Sequence, residues 1–516
     1  MSALLRSLSQ VLPVRFEPCD QTSSRGFDAV IALGDETTDF GELARTPSLR
    51  IVSAPANPGR IEFSELPELD SRLQRRSLTV DGVACLPPGI DGELLATVGD
   101  RPVWVQRRFA EVRHQFVGGS LTELQHGETL RDKMTLHGPF PVLPLVHFLR
   151  EIAADLLYVQ PPLRAAFIID DPNLHRDSYG FITSYSSLVE HARTHAYHAV
   201  MAMVPLDARH ARSSAMKLFR ENEAQLSLAI HGNNHTKHEL ARSPSSERRL
   251  SLLAQGLNRI ASFEYRTGLR VARIMVPPHS RASEASLRDL VRLGYEGVAI
   301  KRPYPWLGSA PADRPLTGWW PADLVAGGLP VLGRYHLQQP RDELILRAFL
   351  DQPLLLYCHH ADVGRGFEEL ARAAALINEL GSVDWGRLDH IARTNFACRR
   401  DGSTLRVRLH ARRVELDVPE GVETLRLELP PDYDGIDHET ISVDRPGDAS
   451  FSLDPRVAVQ GIDVTPGKMR VALLHDSRVD PTAIPSPRPR LWPLVRRRAT
   501  TSRDRLAPYI RASLRL

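Results

Sequence analysis

Short apolar runs alternate with amphipathic helical segments between residues 126 and 398, and this alternation constrains the fold more than any other feature of the chain. The runs are RAAFIIDD, HAVMAMVPLD, LSLAIHG, ARIMVPPH, GVAIKRP, LPVLGRYH and PLLLYCHH. Each has the length and the β-branched or aliphatic content of a buried strand, and helical periodicity follows most of them. Strands that alternate with helices form parallel sheets. About seven such units predict a distorted (β/α)7 barrel of the α/β class.

The flanking regions have different patterns. Residues 1–125 contain short apolar runs separated by turn-rich segments, which predicts an N-terminal α/β accessory domain. Residues 399–475 alternate apolar and polar side chains with period two, which predicts a small antiparallel, sandwich-like C-terminal β domain. Residues 476–516 form a basic tail rich in proline and arginine. The tail could contact a membrane surface, but a disordered tail is the reading we favour.

Composition excludes several functional classes. A chain of 516 residues predicts two to four domains, and a net charge of only +3 argues against nucleic-acid binding. The four cysteines show no paired metal-binding or disulfide spacing, which fits a reducing compartment. The N-terminal residues are too weakly apolar for a signal peptide, and no apolar stretch is long enough to span a bilayer. We therefore expect a cytoplasmic protein without a transmembrane segment.

Polar side chains follow four of the apolar runs at the point where each run ends. They are Asp170 with Asp171, His231 with His235, His279, and His359 with His360. The carboxyl ends of parallel strands face one common mouth, where α/β proteins build their sites. We therefore expect these side chains to lie close together.

The pair His231 and His235 suggests a metal site. Two imidazoles four residues apart can bind one ion, and neutral imidazole suits Zn²⁺. Together with a carboxylate they leave coordination positions for water and substrate, as a catalytic site requires. Two plainer interpretations stay open: Asp170 and Asp171 could form a polar turn that caps the next segment, and the histidines could be a solvated pair.

Taken together, these motifs resemble the polysaccharide deacetylase family, the NodB-type carbohydrate esterase homology domain, over about residues 160–380. The resemblance implies three ligands of a divalent metal, with Zn²⁺ the first candidate: Asp171, His231 and His235. It also implies that Asp170 is the catalytic base and that His359 is the acid. From the residues themselves we expect Asp362, three positions after His359, to pair with it. His360 is the alternative acid if the strand register is shifted by one residue.

The chain departs from the family pattern at several positions. Pro172 follows the aspartates where the family has glycine, and Gly232 stands in place of serine or threonine. The family has an arginine directly before Pro-Pro that orients the base, but this chain has Val276 there and Arg273 three residues earlier. Two expectations follow: either another cation orients Asp170, or Asp170 is not a base.

The resulting interpretation is a metal-dependent hydrolase that removes an N-acetyl group from an amino sugar or another saccharide. Residues expected to contact the substrate are His175, Tyr179, Pro278, His279 and His360. The rival interpretation is a non-catalytic glycan-binding or scaffold protein with a degenerate deacetylase barrel. A third possibility, cleavage of a glycosidic bond, would need two carboxylates that flank a sugar cleft. The only adjacent carboxylate pair of interest is already assigned to the metal site.

Overall fold

The structure is a computed structural model that describes most of the chain. The described residues are 2–19, 26–34, 45–109, 111–172, 174–179, 183–242, 245–301, 304, 315–359, 362–363, 366–431, 433, 438–445, 450–487, 491–495, 499 and 502. The chain divides into two compact units. The first unit comprises residues 1–159, 310–320 and 340–351, and the second comprises 160–309, 321–339 and 352–516.

The first unit is built on a seven-stranded sheet with the strand order β1-β2-β7-β6-β5-β3-β4. Its strands are β1 (Val30–Leu33), β2 (Ser48–Val52), β3 (Asn57–Phe63), β4 (Ser77–Val83), β5 (Glu93–Val98), β6 (Arg101–Phe109) and β7 (Val112–Gly118). Its helices are α1 (Ala3–Val11), α2 (Leu130–Lys133), α3 (Val142–Ile152) and α8 (Asp342–Phe349). Strands β1, β2 and β7 pair in parallel and the others antiparallel. This mixed sheet with helices agrees with the α/β accessory domain predicted from the sequence.

The second unit contains a closed parallel barrel of seven strands. The strands are β8 (Leu163–Asp170), β11 (Ala199–Met203), β12 (Leu226–Ile230), β13 (Val271–Met275), β14 (Gly297–Lys301), β16 (Leu329–His336) and β17 (Leu354–Cys358). Each pairs in parallel with the next, and β8 closes the barrel because it pairs with both β17 and β11. The predicted (β/α)7 barrel is therefore confirmed.

Helices and short strands connect the barrel strands. The helices are α4 (Tyr185–Thr194), α5 (Ser213–Glu221), α6 (Ser246–Thr267), α7 (Glu284–Arg292), α9 (Glu368–Glu379) and α10 (Leu388–Arg393). The short strands are β9 (Ser178–Tyr179), β10 (Thr183–Ser184), β15 (Asp323–Val325) and β18 (Val383–Trp385). Helix α6 ends at Gly268, whose φ of 71° is the left-handed conformation that glycine adopts without strain.

Alternate residues of each barrel strand fill the interior. Ala166 and Ile168 of β8 belong to the buried core of the barrel, and so do Leu332 of β16 and Leu355 of β17. Side chains two residues apart in a strand point to the same face. The next inward position of β8 is therefore Asp170, at the end where the strand leaves the barrel.

The second unit also contains a β-sandwich of two four-stranded sheets. One sheet has the order β19 (Phe396–Asp401), β20 (Thr404–Leu409), β22 (Thr424–Glu428) and β25 (Ile462–Asp463). The other has the order β21 (Arg413–Val418), β26 (Gly467–His475), β23 (Glu439–Asp444) and β24 (Phe451–Leu453), and helix α11 (Pro455–Gln460) follows β24 in the chain. All pairs are antiparallel except β20 with β22. The period-two pattern arises because alternate residues of these strands are buried in one apolar core.

The domain boundaries at residues 125, 398 and 475 stay predictions, as does the cytoplasmic location. Most of the basic tail lies outside the described residues. Within the described part of the chain, no helix has both the length and the apolar character needed to cross a membrane.

Candidate metal centre and active site

Asp171, His231 and His235 converge at the carboxyl end of the barrel. One ligand atom from each lies within 4.8 Å of the other two. The Nε2 atom of His231 is 4.0 Å from Asp171 Oδ1, and the Nε2 atom of His235 is 3.3 Å from Asp171 Oδ2. Two imidazole nitrogens and a carboxylate oxygen directed at one point form the donor set of a catalytic zinc-type site. The three residues therefore fit a divalent metal.

The buried imidazole of His231 is in the right state to bind a metal. Its Nδ1 donates a hydrogen bond to the carbonyl oxygen of Val276 at 2.7 Å, which leaves the Nε2 lone pair directed toward Asp171. Burial lowers the pKa of His231 to about 4, although the charges of Asp170 and Asp171 oppose this shift. The ring is therefore neutral at physiological pH. A carbonyl that fixes the tautomer of a ligand histidine is a common outer contact of metal sites.

The loop that carries both histidines is organised by the buried carboxylate of Glu239. This carboxylate accepts hydrogen bonds from four successive backbone N–H groups, of Asn233, Asn234, His235 and Thr236, at 2.7–3.4 Å. The N–H of His235, a proposed ligand, is among them. His235 itself adopts a left-handed φ of 54°, so the loop holds a ligand in a conformation that a free chain rarely visits.

Gly232 allows this loop to pack tightly. Its φ is 63°, and a Cβ at this position would lie 2.1 Å from an oxygen of Glu239 and 2.7 Å from Pro278 Cγ. A larger residue would displace the carboxylate that orders the loop. The family's serine or threonine does not fit here, which gives a physical reason for the departure at this position.

Asp170 lies beside the metal-binding cluster and is paired with a buried arginine. Arg334 Nη1 donates to both carboxylate oxygens, at 2.7 and 2.9 Å, and the guanidinium stacks on the ring of Tyr357, with 4.4 Å to its centroid. Burial alone would raise the pKa of Asp170, but the charge of Arg334, helped by His231 and His359, lowers it below the ordinary value. Asp170 is therefore ionised at neutral pH.

Arg334 resolves the question raised by the missing arginine before Pro-Pro. Arg273 forms a bidentate pair with Glu264, at 2.6 and 2.9 Å, so its guanidinium is engaged away from Asp170. The cation that contacts Asp170 comes instead from β16, 164 residues further along the chain. Sequence reasoning missed it, although an arginine inside the apolar run LPVLGRYH was a usable signal. A charged residue at an inward-facing strand position is buried, and a buried charge is usually paired.

His359 faces Asp170, and Asp362 contacts a different part of His359 than expected. The Nε2 atom of His359 is 3.8 Å from Asp170 Oδ2, and the imidazole is about half exposed. Asp362 Oδ2 accepts the backbone N–H of His359 at 2.8 Å. The expectation that Asp362 pairs with the imidazole of His359 is thus wrong: Asp362 holds the backbone, and the imidazole faces Asp170.

The residues expected to contact the substrate differ in their exposure to solvent, and two of them are not fully described by the structure. His279 is exposed, and its ring centroid is 5.2 Å from that of His235, whereas Pro278 is buried. His175 is half-buried in the loop after β8. The side chain of Tyr179 and the whole of His360 lie outside the described residues. The roles of all five in substrate binding stay predictions.

Cys358 ends β17 directly before His359 and is the thiol nearest in sequence to the candidate acid. The structure buries it completely, and this burial raises the pKa of the thiol. A thiol that keeps its proton is neither a nucleophile nor a metal ligand at neutral pH. The ionised groups at this end of the barrel are therefore those around Asp170.

Comparison with known proteins returned matches among solved structures alone. No family model and no curated protein matches the chain. Similar solved structures include a protein from Mycobacterium smegmatis described as a polysaccharide deacetylase, with 13% identity, 46% of this chain and 95% of that chain covered, and a TM-score of 0.34. A family 4 carbohydrate esterase from Streptomyces lividans in complex with acetate has 13% identity, coverage of 44% and 94%, and a TM-score of 0.27.

A third similar structure is a CE4 family pseudoenzyme from Bacillus anthracis, with 11% identity, coverage of 46% and 68%, and a TM-score of 0.28. The descriptions of all three name the polysaccharide deacetylases or the CE4 carbohydrate esterases, to which the sequence motifs are similar. At such low similarity the function has to be argued from the site itself.

Proposed function

We propose that this chain is a metal-dependent amide hydrolase that removes an N-acetyl group from an amino sugar or a saccharide that contains one. The observation that carries the proposal is the convergence of Asp171, His231 and His235 beside an ionised, buried Asp170. The saccharide part of the proposal comes from the motif resemblance. A divalent metal bound by the three ligands would polarise the acyl carbonyl and make water more acidic.

Asp170 is the proposed general base. It is ionised, and Arg334 holds both its oxygens in a fixed position. A water molecule within hydrogen-bonding distance of this carboxylate would transfer its proton to Asp170 as its oxygen attacks the acyl carbon. The new C–O bond and the broken C–N bond then give acetate and a free amine.

His359 is the proposed general acid. Its imidazole is half exposed, so a substrate can reach it, and its Nε2 atom lies 3.8 Å from Asp170 Oδ2. Protonation of the departing nitrogen by an imidazolium lets the amine leave as a neutral group. After the reaction, the proton on Asp170 can pass to the neutral imidazole of His359, whose Nε2 atom lies 3.8 Å from Asp170 Oδ2, and this transfer restores both groups.

Two features of the sequence favour the rival function, a non-catalytic glycan-binding protein: the missing arginine before Pro-Pro and the large accessory regions. Arg334 supplies a cation to Asp170 from another strand, which removes the first of these arguments. The neutral state of His231 also favours metal binding. Both observations support the hydrolase over the rival.

The first experiment is elemental analysis of the purified protein, with the wild type compared with His231→Ala and Asp171→Ala. We expect about one divalent ion per chain in the wild type and loss of the ion in both variants. His390→Ala, which alters an exposed imidazole paired with Asp384, is the matched control and should keep the metal.

The second experiment measures release of acetate from N-acetylated amino sugars by the metal-loaded protein. Asp170→Asn should keep the metal and lose activity, because an amide cannot accept the proton. A well-folded wild type that neither contains nor takes up a divalent metal would refute the hydrolase. Stoichiometric metal without acetate release from any acetylated sugar would favour the binding protein.

A further inference from the structure

Strand β16 ends with two polar side chains that face the site, Arg334 and His336. They are two residues apart and therefore share the inward face of the strand. Arg334 binds Asp170, the proposed base. The Nε2 atom of His336 lies 3.5 Å from Asp362 Oδ2. One strand thus reaches both Asp170 and the loop that follows β17.

The hydrogen bonds of His336 determine which nitrogen carries the proton. The backbone N–H of Gln338 donates to His336 Nδ1 at 3.2 Å, so Nδ1 has a lone pair and no proton. In a neutral imidazole the proton is then on Nε2, which faces the carboxylate of Asp362. The nitrogen that carries the proton is therefore the one that lies 3.5 Å from the Asp362 carboxylate.

Asp362 in turn fixes the backbone around His359. Its Oδ2 accepts the N–H of His359 at 2.8 Å, and its own N–H donates to the carbonyl oxygen of His359 at 3.0 Å. These two bonds join Asp362 to the backbone of His359, directly after β17. The same oxygen faces His336, so any change in the position of Asp362 moves the backbone from which the His359 imidazole extends toward Asp170.

We propose that His336 and Asp362 are a positioning pair that holds His359 in place for proton transfer. Strand β16 then positions both proposed catalytic groups: Arg334 contacts the base, Asp170, and His336 acts on the acid, His359, through Asp362. The inference rests on the proposed function for the role of His359 in chemistry, but the positioning itself can be measured without activity. The pair adds His336, which the sequence motifs do not assign, and gives Asp362 a role through the backbone of His359.

The test compares His336→Ala and His336→Gln with the wild type and with His390→Ala. The control, His390→Ala, also removes an imidazole that pairs with a carboxylate, since His390 Nε2 lies 2.6 Å from Asp384 Oδ2. Asp384 belongs to β18, which pairs with the first residues of β8, at the end of that strand opposite Asp170. Hydrogen exchange of the His359 amide should be about tenfold faster in His336→Ala, because Asp362, the acceptor of that amide, loses its contact with His336. His390→Ala should leave this amide unchanged.

In the deacetylation assay, we expect His336→Ala to lower kcat by about 10- to 100-fold, because small displacements of a catalytic group carry penalties of that size. KM and metal content should stay within about twofold. His336→Gln should keep most of the activity, since its amide can still donate to Asp362. Asp362→Asn should likewise have a higher kcat than Asp362→Ala, because the amide oxygen of asparagine can still accept the N–H of His359.

Two outcomes would overturn the positioning pair. The first is equal exchange of the His359 amide in His336→Ala and His390→Ala. The second is an equally large loss of kcat in His336→Gln and His336→Ala, which would make His336 a proton donor itself. If the wild type binds metal but releases no acetate, the proposed function fails, and the exchange measurement still decides the positioning pair.

Discussion

At the scale of single residues, the buried pair of Asp170 and Arg334 is the most consequential contact of the barrel. Both side chains are almost completely buried, at 3% and 1% exposure. Removing two charges from water is costly, and the cost is offset only while both partners are present with good geometry. The pair therefore keeps Asp170 ionised where burial alone would favour its protonated form.

We predict that Arg334→Gln destabilises the protein by about 3–5 kcal/mol, because it leaves a buried carboxylate without its cation. The same change should raise the pKa of Asp170, since burial is then no longer opposed by the charge of Arg334. Denaturant unfolding measures the loss. Arg273→Gln, which breaks the half-exposed pair with Glu264, is the matched control and should cost less than about 1 kcal/mol. Equal losses for the two variants would contradict this account.

Glu239 acts at the same scale by ordering the loop of the metal ligands. In Glu239→Gln, one acceptor oxygen becomes an NH₂ group that faces backbone N–H donors. We predict that zinc affinity falls by about 10- to 100-fold, as for other outer contacts of metal ligands. Competition with a chelator measures it. Glu264→Gln, which changes a carboxylate that pairs with Arg273, is the control, and an unchanged Kd in Glu239→Gln would disprove the ordering role.

At the scale of elements, the two ends of the barrel strands carry histidines with different roles. His231 follows the carboxyl end of β12 and faces Asp171. His198 precedes β11, is buried, and contacts the carbonyl oxygen of Ala224 at 2.9 Å and the hydroxyl of Ser227 at 2.7 Å. Both rings are neutral because burial lowers the pKa of each to about 4. His198 satisfies neighbouring backbone and is a structural residue.

His198 makes stability depend on pH. Its pKa is about 4 in the folded protein against an ordinary value of 6.5, so between these values the unfolded chain binds a proton that the folded protein does not. Stability therefore falls as the pH decreases through this range. We predict that this residue contributes about 2 kcal/mol of the loss in unfolding free energy between pH 7 and pH 5.

The measurement is urea unfolding at both pH values for the wild type and His198→Gln. The variant is less stable at pH 7 but should lose about 2 kcal/mol less on acidification. His390→Gln, with an exposed ring, should follow the wild type. A pH dependence that is the same in His198→Gln and the wild type would exclude this contribution.

At the scale of the whole molecule, the β-sandwich holds the turn from which β16 begins. Arg412 donates to the carbonyl oxygens of Gly327 and Gly328, both at 3.2 Å, and forms a bidentate pair with the fully buried Glu439 at 2.8–2.9 Å. Gly327 and Gly328 form the turn between β15 and β16. The strand that carries Arg334 therefore begins at a contact with the sandwich.

We predict that Arg412→Met destabilises the second unit by about 3–5 kcal/mol, because it leaves Glu439 buried without a cation. The neighbouring Arg413→Met is the matched control. Arg413 is 44% exposed and lies 3.3 Å from Glu296, so its loss should cost less than about 1 kcal/mol. Calorimetric unfolding compares them, and equal effects would show that the contact with the turn adds no stability.

The sequence by itself determined the elements of the barrel and the sandwich. Periodicity depends on neighbours in the chain, so the seven barrel strands and the alternating strands of the sandwich could be predicted locally. The candidate metal-binding pair His231 and His235 could be recognised from its spacing after an apolar run, because parallel strands share one mouth. The choice of Asp171 rather than Asp170 as the third candidate ligand followed from the resemblance to the deacetylase family.

Only the tertiary structure decided which cation contacts Asp170 and which group of His359 forms a hydrogen bond with Asp362. Arg334 is 164 residues away from Asp170 in the chain. The sequence pattern of β16 predicts that Arg334 faces the barrel interior, but it does not predict which residue of another strand Arg334 contacts there. The contact between Arg334 and Asp170 depends on the register of the strands and on closure of the barrel through β8. Closure is a property of all seven strands together, so no local pattern contains it.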